Sequence, residues 1–232
     1  MFCGEMVNVQ GAGRTDSGVH ALGQVAHLDL IKEWPVEIVR DALNSHLRRV
    51  PVSVLSVSSV RSDFHARFSA IGRSYRYKIV NRRAPLTLQA GRAWWVPQRL
   101  DVEAMAEAAN ILVGTHDFTS FRASECQANS PIRTLDALTV QRLGDIIEVA
   151  ARARSFLHHQ VRNFVGSLTW VGDGKWIPGH IEEVLLSKDR RAGGPTAPAD
   201  GLYLCSVYYD DDEGMANISA GPTGNSFDKD PD

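Results

Sequence analysis

Apolar and polar positions alternate or recur along this chain with two periods, and the change from one to the other sets the expected order of elements. Gln24–Leu30 (QVAHLDL) alternates as a strand does. Pro35 then opens a helix in which Ile38, Val39, Ala42, Leu43 and Leu47 recur at helical spacing. Val52–Val60, β-branched and rich in serine, predicts a strand. In Arg73–Val80 (RSYRYKIV), Tyr75, Tyr77 and Ile79 fall on one face and Arg76 and Lys78 on the other. Asp101 is placed to cap a helix over Val102–Val113, which Gly114 would end. Thr134–Arg142 and Ile146–Arg154 flank Leu143-Gly144-Asp145, the mark of a hairpin. Leu157, Val161, Phe164, Val165 and Leu168 share one face of a following helix. A short helix starts at Pro178 and ends near Leu186, and Leu202–Tyr209 predicts a last strand. Hairpins mixed with helices, without strict βαβ alternation, predict an α+β fold with a largely antiparallel sheet.

The composition, 44% hydrophobic and 22% charged over 232 residues, suits an ordinary globular chain with a real core. No apolar run approaches the roughly 20 residues that span a bilayer. MFCGEMVNVQ lacks the basic and apolar regions of a signal peptide, so a cytoplasmic protein is expected. Cys3, Cys126 and Cys205 form no CxxC pair and no cluster at zinc spacing, which predicts reduced thiols and no structural metal.

Net charge is −2, but its distribution carries more information than its sum. Residues 210–232 hold seven acidic side chains and one basic, a local −6. The stretch is polar, and from Asp211 onward it is expected to be disordered. Between Arg61 and Arg83, seven Lys/Arg face the single Asp63, a local +6 suited to phosphates.

Candidate chemistry concentrates in GAGRTDSGVHALGQ, residues 11–24, where Gly11, Gly13 and Gly18 bracket Arg14-Thr15-Asp16. A phosphate cradle is disfavoured, since no GK[ST] follows, and the spacing is not that of a dinucleotide fingerprint. A plain turn with Asp16 capping a helix stays open on these residues alone. His20 could serve as a base, although a hydrogen bond fixing the loop is the better reading. His158 and His159, taken as neighbours on a helix, would point about 100° apart, which predicts a polar face and not a shared metal.

Five strings in order resemble the TruA-type tRNA pseudouridine synthase family: GAGRTDSGVHALGQVAHLDL (11–30), FHARFSAIGRSYRY (64–77), GTHDFTSFR (114–122), FLHHQVRNFVGSL (156–168) and GLYLCSV (201–207). The resemblance implies two similar subdomains, with largely antiparallel sheets joined into one mixed central sheet and helices packed against it. It implies Asp16 as nucleophile and Arg162 as the arginine pairing with it. Tyr75 would pack on the target base, Arg14 help displace the target nucleotide, and Leu202 line the pocket. The expected reaction converts uridine to pseudouridine at tRNA positions 38, 39 and 40 in the anticodon stem-loop, in a homodimer, without metal or cofactor. It also implies a strand with a YDG-type turn, a GWQ-type motif and a helix ahead of residue 11, of which FCGE at 2–5 resembles only the end. Residues 1–62 are therefore expected to form an incomplete N-terminal subdomain carrying the Asp16 loop, and 63–209 the C-terminal one. The alternative is a remnant that binds RNA without catalysis.

Overall fold

The computed structural model describes residues 3–210, so the acidic tail from Asp211 lies outside the described residues. In chain order the elements are β1 (Gln10–Gly11), β2 (His20–Ala21), β3 (Ala26–His27), α1 (Val36–Leu47), β4 (Gly72–Val80), β5 (Trp94–Trp95) and α2 (Val102–Ile111). There follow β6 (Gly114–Asp117), β7 (Ile132–Leu143), β8 (Ile146–Ala153), α3 (Gln160–Gly172), α4 (His180–Ser187) and β9 (Leu202–Tyr208). The central sheet has the order β2-β9-β4-β8-β7-β6, with β5 added on β4. Most neighbours are antiparallel, whereas β2–β9 and β4–β5 are parallel. This is an α+β protein with a mixed central sheet and helices packed against it.

Register explains why one face is apolar. Tyr75 lies opposite Ala151, Tyr77 opposite Val149, and Ile79 opposite Ile147 across the β4–β8 ladder. Directly opposed residues share a face, so these pairs form a continuous apolar surface. Met105 and Ala108 of α2 and Leu112 just past its end cover it, together with Val161, Phe164, Val165 and Leu168 of α3, all within one core. Burying a ring such as Phe164 contributes roughly 1.5–3 kcal/mol. The opposite face is polar, with Arg76 3.7 Å from Glu148. Asp101 caps α2 by accepting from the Ala104 N–H at 3.0 Å, as its position predicts. That helix ends at Ile111, and Gly114, at φ +113°, opens β6.

Two expected strands are not formed as such. Gln24–Leu30 contributes only Ala26–His27, and Val52–Val60 joins no ladder among the described residues. Alternation makes a segment extended but supplies no partner. The Asn44 side chain instead occupies both the N–H and the C=O of Val54, each at 2.8 Å. The stripe Arg61–Arg83 is also less free than its charge suggests. Arg61 pairs with Asp63 and Arg82 with Asp145, while Lys78 sits 4.9 Å over the Tyr203 ring. Arg73 is spent on the carbonyls of Ala12, Arg67, Ala70 and Arg154.

One close approach positions the site. A Cβ on Gly166 of α3 would lie 1.7 Å from the Pro195 carbonyl oxygen, so the 193–197 segment rests directly on the helix backbone. That contact brings the Ala197 carbonyl within 2.8 Å of Arg162 Nε. Gly166→Ala is expected to lower stability by about 3 kcal/mol, the upper end of overpacking costs, because the clashing atom is backbone and cannot rotate away. Urea denaturation would show this as a lowered midpoint, and an unchanged midpoint would contradict the packing described.

Candidate active site

The Asp16 loop is fixed at both ends before its tip forms. Gln10 and Gly11 pair with His27 and Ala26, and His20 and Ala21 pair with Tyr203 and Leu204 of β9. Between them the Gln24 amide donates to the Gly13 carbonyl at 2.8 Å. The Val19 N–H donates to the Asp16 carbonyl at 3.1 Å, closing a turn with Gly18 at its third position. Gly18 has φ +84°, which suits glycine at that place in a type II turn. Neither Gly11 nor Gly13 takes a positive φ, so the sharp turn is the work of one of the three glycines.

At the tip, the Asp16 carboxylate meets Arg162 of α3 and the two histidines that immediately precede that helix. Arg162 Nη1 donates to Oδ2 at 2.8 Å, while its Nε is held by Ala197. His159 Nε2 stands 3.1 Å from the same Oδ2, and His158 Nε2 lies 3.1 Å from Oδ1. Burial alone would raise the Asp16 pKa. The hydrogen bond from Arg162 and the neighbouring charges outweigh it, holding the carboxyl below the usual carboxylate range. Arg162 is the permanent charge among them. His159 is itself pushed down by burial, against the pull of Asp16.

The two histidines correct the expectation of a polar helix face. They precede α3, and His159 is left-handed at φ 60° and ψ 5°. That conformation, uncommon for a residue other than glycine, turns both rings to the same side with centroids 4.0 Å apart. The turn is secured by the Ala123 N–H on the His158 carbonyl and by Gln160 Oε1 accepting from the Leu157 N–H. Asp16, His158 and His159 offer ligand atoms within 4.8 Å of one another, a set able to hold a divalent ion. Arg162 already supplies positive charge to Oδ2 from 2.8 Å, which disfavours a second cation there, so the group reads better as a carboxylate clamp.

Tyr75 is half-buried on β4, packed edge-on against Phe156 at 5.1 Å. Its pKa is raised, first by burial and also by the nearby Asp16 charge, so the phenol stays protonated at neutral pH. No hydrogen bond holds its hydroxyl among the described residues. Arg14 is exposed on the same loop as Asp16, without an ion pair among those residues. Leu202 is 7% exposed in the main core, across the ladder from Tyr77. His20 bonds the Gly91 carbonyl at 2.9 Å and stacks on Tyr203, so it ties loop to sheet and is not among the Asp16 contacts. Sequence reasoning names His158 and His159 but assigns them a polar helix face, and it leaves Phe156 without a role, although all three stand in FLHHQVRN beside Arg162.

The pKa directions carry a pH signature. A carboxyl whose folded pKa lies below its ordinary 3.8 binds fewer protons folded than unfolded. Its stabilisation is complete above that value and disappears as pH falls through the depressed one. His159, depressed from 6.5, adds a loss that starts below that pH in the same direction. The thermal midpoint should therefore fall on acidification, and below about pH 4 more steeply in the wild type than in Asp16→Asn. Parallel curves in that range would contradict the charge arrangement.

A family model described as tRNA pseudouridine synthase matches residues 3–69 and 108–210. The chain is 59% identical over 223 residues to the tRNA pseudouridine synthase A of Paramagnetospirillum magneticum, covering 96% of this chain and 86% of that protein. It is 58% identical to the protein of the same name from Mesorhizobium japonicum, over 90% of this chain and 85% of the relative. The same identity holds with that of Rhodospirillum rubrum, over 90% and 75%. Identity at this level over nearly the whole chain, joined to the α+β sheet and the clamped carboxylate, settles descent: this protein belongs to the tRNA pseudouridine synthase family of isomerases.

Proposed function

We propose that the cleft around Asp16 converts uridine to pseudouridine at positions 38, 39 and 40 of the tRNA anticodon stem-loop, with the Asp16 carboxylate as nucleophile. The observation that carries this reading is the ionised, half-buried carboxylate, directed by Arg162 at 2.8 Å and close enough to Tyr75 to add to the rise that burial gives its pKa. The relatives' name supplies the substrate, and the family resemblance supplies the anticodon positions.

The reaction breaks the C1′–N1 bond, turns the base and joins C5 to C1′. The hydrogen on C5 leaves as a proton and N1 gains one, so the sum is an isomerisation. A carboxylate can take the sugar carbon when N1 departs and return it when C5 attacks. Oδ2 receives both Arg162 and His159, whereas Oδ1 receives only His158, so Oδ1 is the oxygen left with a lone pair for attack. The target base must leave its stack, at a cost of a few kcal/mol. Tyr75, backed by Phe156, offers an aromatic shelf worth about 1–3 kcal/mol per stacked base. In this reading Arg14, exposed on the same loop as the nucleophile, takes the space the base vacates. Leu202 closes the apolar side. Metal and cofactor have no part in this scheme. A homodimer and a cytoplasmic location belong to the same proposal and rest on the resemblance; no helix among the described residues is long and apolar enough to cross a membrane.

The test is to incubate an unmodified tRNA transcript with the protein and map pseudouridine by position. Product at 38, 39 or 40 supports the reading. Product elsewhere in the tRNA overturns the positional part, and tight binding without product supports a module that binds RNA only.

A further inference from the structure

A second charged feature lies well away from Asp16. Asn81, Arg82, Arg83, Pro97, Arg99 and Arg142 line an open cavity of about 360 Å³ where β4 ends and the β7–β8 hairpin turns. Arg82 is seven residues beyond Tyr75, which at roughly 3.3 Å per residue puts the cavity up to about 23 Å along the chain from Tyr75.

The cavity is built around a buried amide. Asn81 is 8% exposed, and its Nδ2 donates to the Val96 and Gln98 carbonyls at 2.9 and 2.6 Å. Its Oδ1 accepts from the Leu100 N–H at 3.2 Å and from Arg142 Nη2 at 3.0 Å. The same Nη2 also donates to the Leu100 carbonyl. Arg142 is thus held in place by neutral groups that leave its charge uncompensated. Arg83 and Arg99 are exposed and have no ion pair or hydrogen bond among the described residues. Asp145 answers only Arg82, at 3.2 Å, and the neighbouring Asp101 carboxylate is turned to the α2 cap. Four guanidiniums therefore meet one carboxylate. Like charges repel, so gathering them with fixed supports makes a place for an oxyanion to bridge.

We infer that this arginine cavity is a second RNA contact, which grips backbone phosphates of the same tRNA whose target uridine lies at Asp16. The inference rests on the tRNA reading above. Phosphodiester is favoured over a free small polyanion because the cavity is open, its two unpaired arginines are exposed, and it lies beyond the end of the strand that carries Tyr75, where a bound stem can continue. Arginine forks match phosphate oxygens and read no base, which suits a contact that positions the stem.

The double variant R83E/R99E tests it, since both side chains are at the surface and their removal leaves the Asn81 hub intact. The Kd for unmodified tRNA is measured as salt is raised. Each phosphate contact contributes about 0.9 to the slope of log K against log salt, so the variant's slope should be shallower by about 2 and its Kd higher. An unchanged slope overturns the inference. Thermal shift with pyrophosphate forms the second arm: if pyrophosphate stabilises the wild type and not the variant while the tRNA slope is unchanged, the cavity serves a small polyanion and the RNA assignment is wrong. These readouts are of binding, so absence of pseudouridine in the mapping assay would reject the catalytic reading without deciding this one.

Discussion

Asp16→Asn is expected to abolish turnover, by on the order of 10⁴-fold or more, as in enzymes stripped of their nucleophile. The substitution changes little in shape. An asparagine oxygen can still accept from Arg162, and the turn closed by the Val19 N–H uses only backbone. What vanishes is the negative charge and the lone pair able to bond to carbon. Affinity for tRNA should survive, since the exposed arginines are untouched and the site becomes more positive when the carboxylate that neutralises Arg162 is lost. Single-turnover assays beside a filter-binding titration separate the two effects. Near-normal rates would refute the nucleophile assignment, and loss of binding alone would mean that Asp16 shapes the loop without reacting.

Arg162→Ala should cost about 10²–10³-fold in turnover, the scale seen when one preorganised donor to a reacting oxygen is removed. Arg162 does two things with one planar fork: Nε is anchored on the Ala197 carbonyl and Nη1 holds Oδ2. Lysine carries the charge without the fork, so Arg162→Lys should recover little. The pair acts as a unit, and the double variant of Asp16→Asn with Arg162→Ala should be no slower than Asp16→Asn alone. Multiplying effects would contradict direct coupling between them. The single-turnover rate is the measurement in each case.

The elements that sequence patterning located are those whose partners lie close along the chain or whose apolar face is broad. The β7–β8 hairpin, with Gly144 at φ +59°, and the stripes of α2 and α3 are such cases, because the pattern records burial directly. Val52–Val60 shows where patterning stops, since a ladder needs a second strand and the segment cannot report whether one is there. Extending helical geometry one turn too early misplaces His158 and His159. A single left-handed residue, His159, redirects both rings to Asp16, and nothing in HHQ announces it.

The meeting of Asp16 and Arg162 spans 146 residues of chain and follows from no periodicity; it was legible through the family motifs only. The arginine cavity was invisible for the same reason. The stripe Arg61–Arg83 drew attention to charge adjacent in sequence, whereas folding spends most of it on carboxylates, carbonyls and a ring. The cluster that remains draws Arg99 and Arg142 from distant segments.

In the proposed chemistry a carboxylate opens and remakes a sugar–base bond, and the hydrogen displaced from C5 reports that event directly. Transcribed tRNA labelled with tritium at uridine C5 should release label to water with wild-type protein, in step with pseudouridine in the anticodon stem-loop. With Asp16→Asn it should release none. Tritium release by that variant at the wild-type rate, or pseudouridine formed without it, would contradict the account.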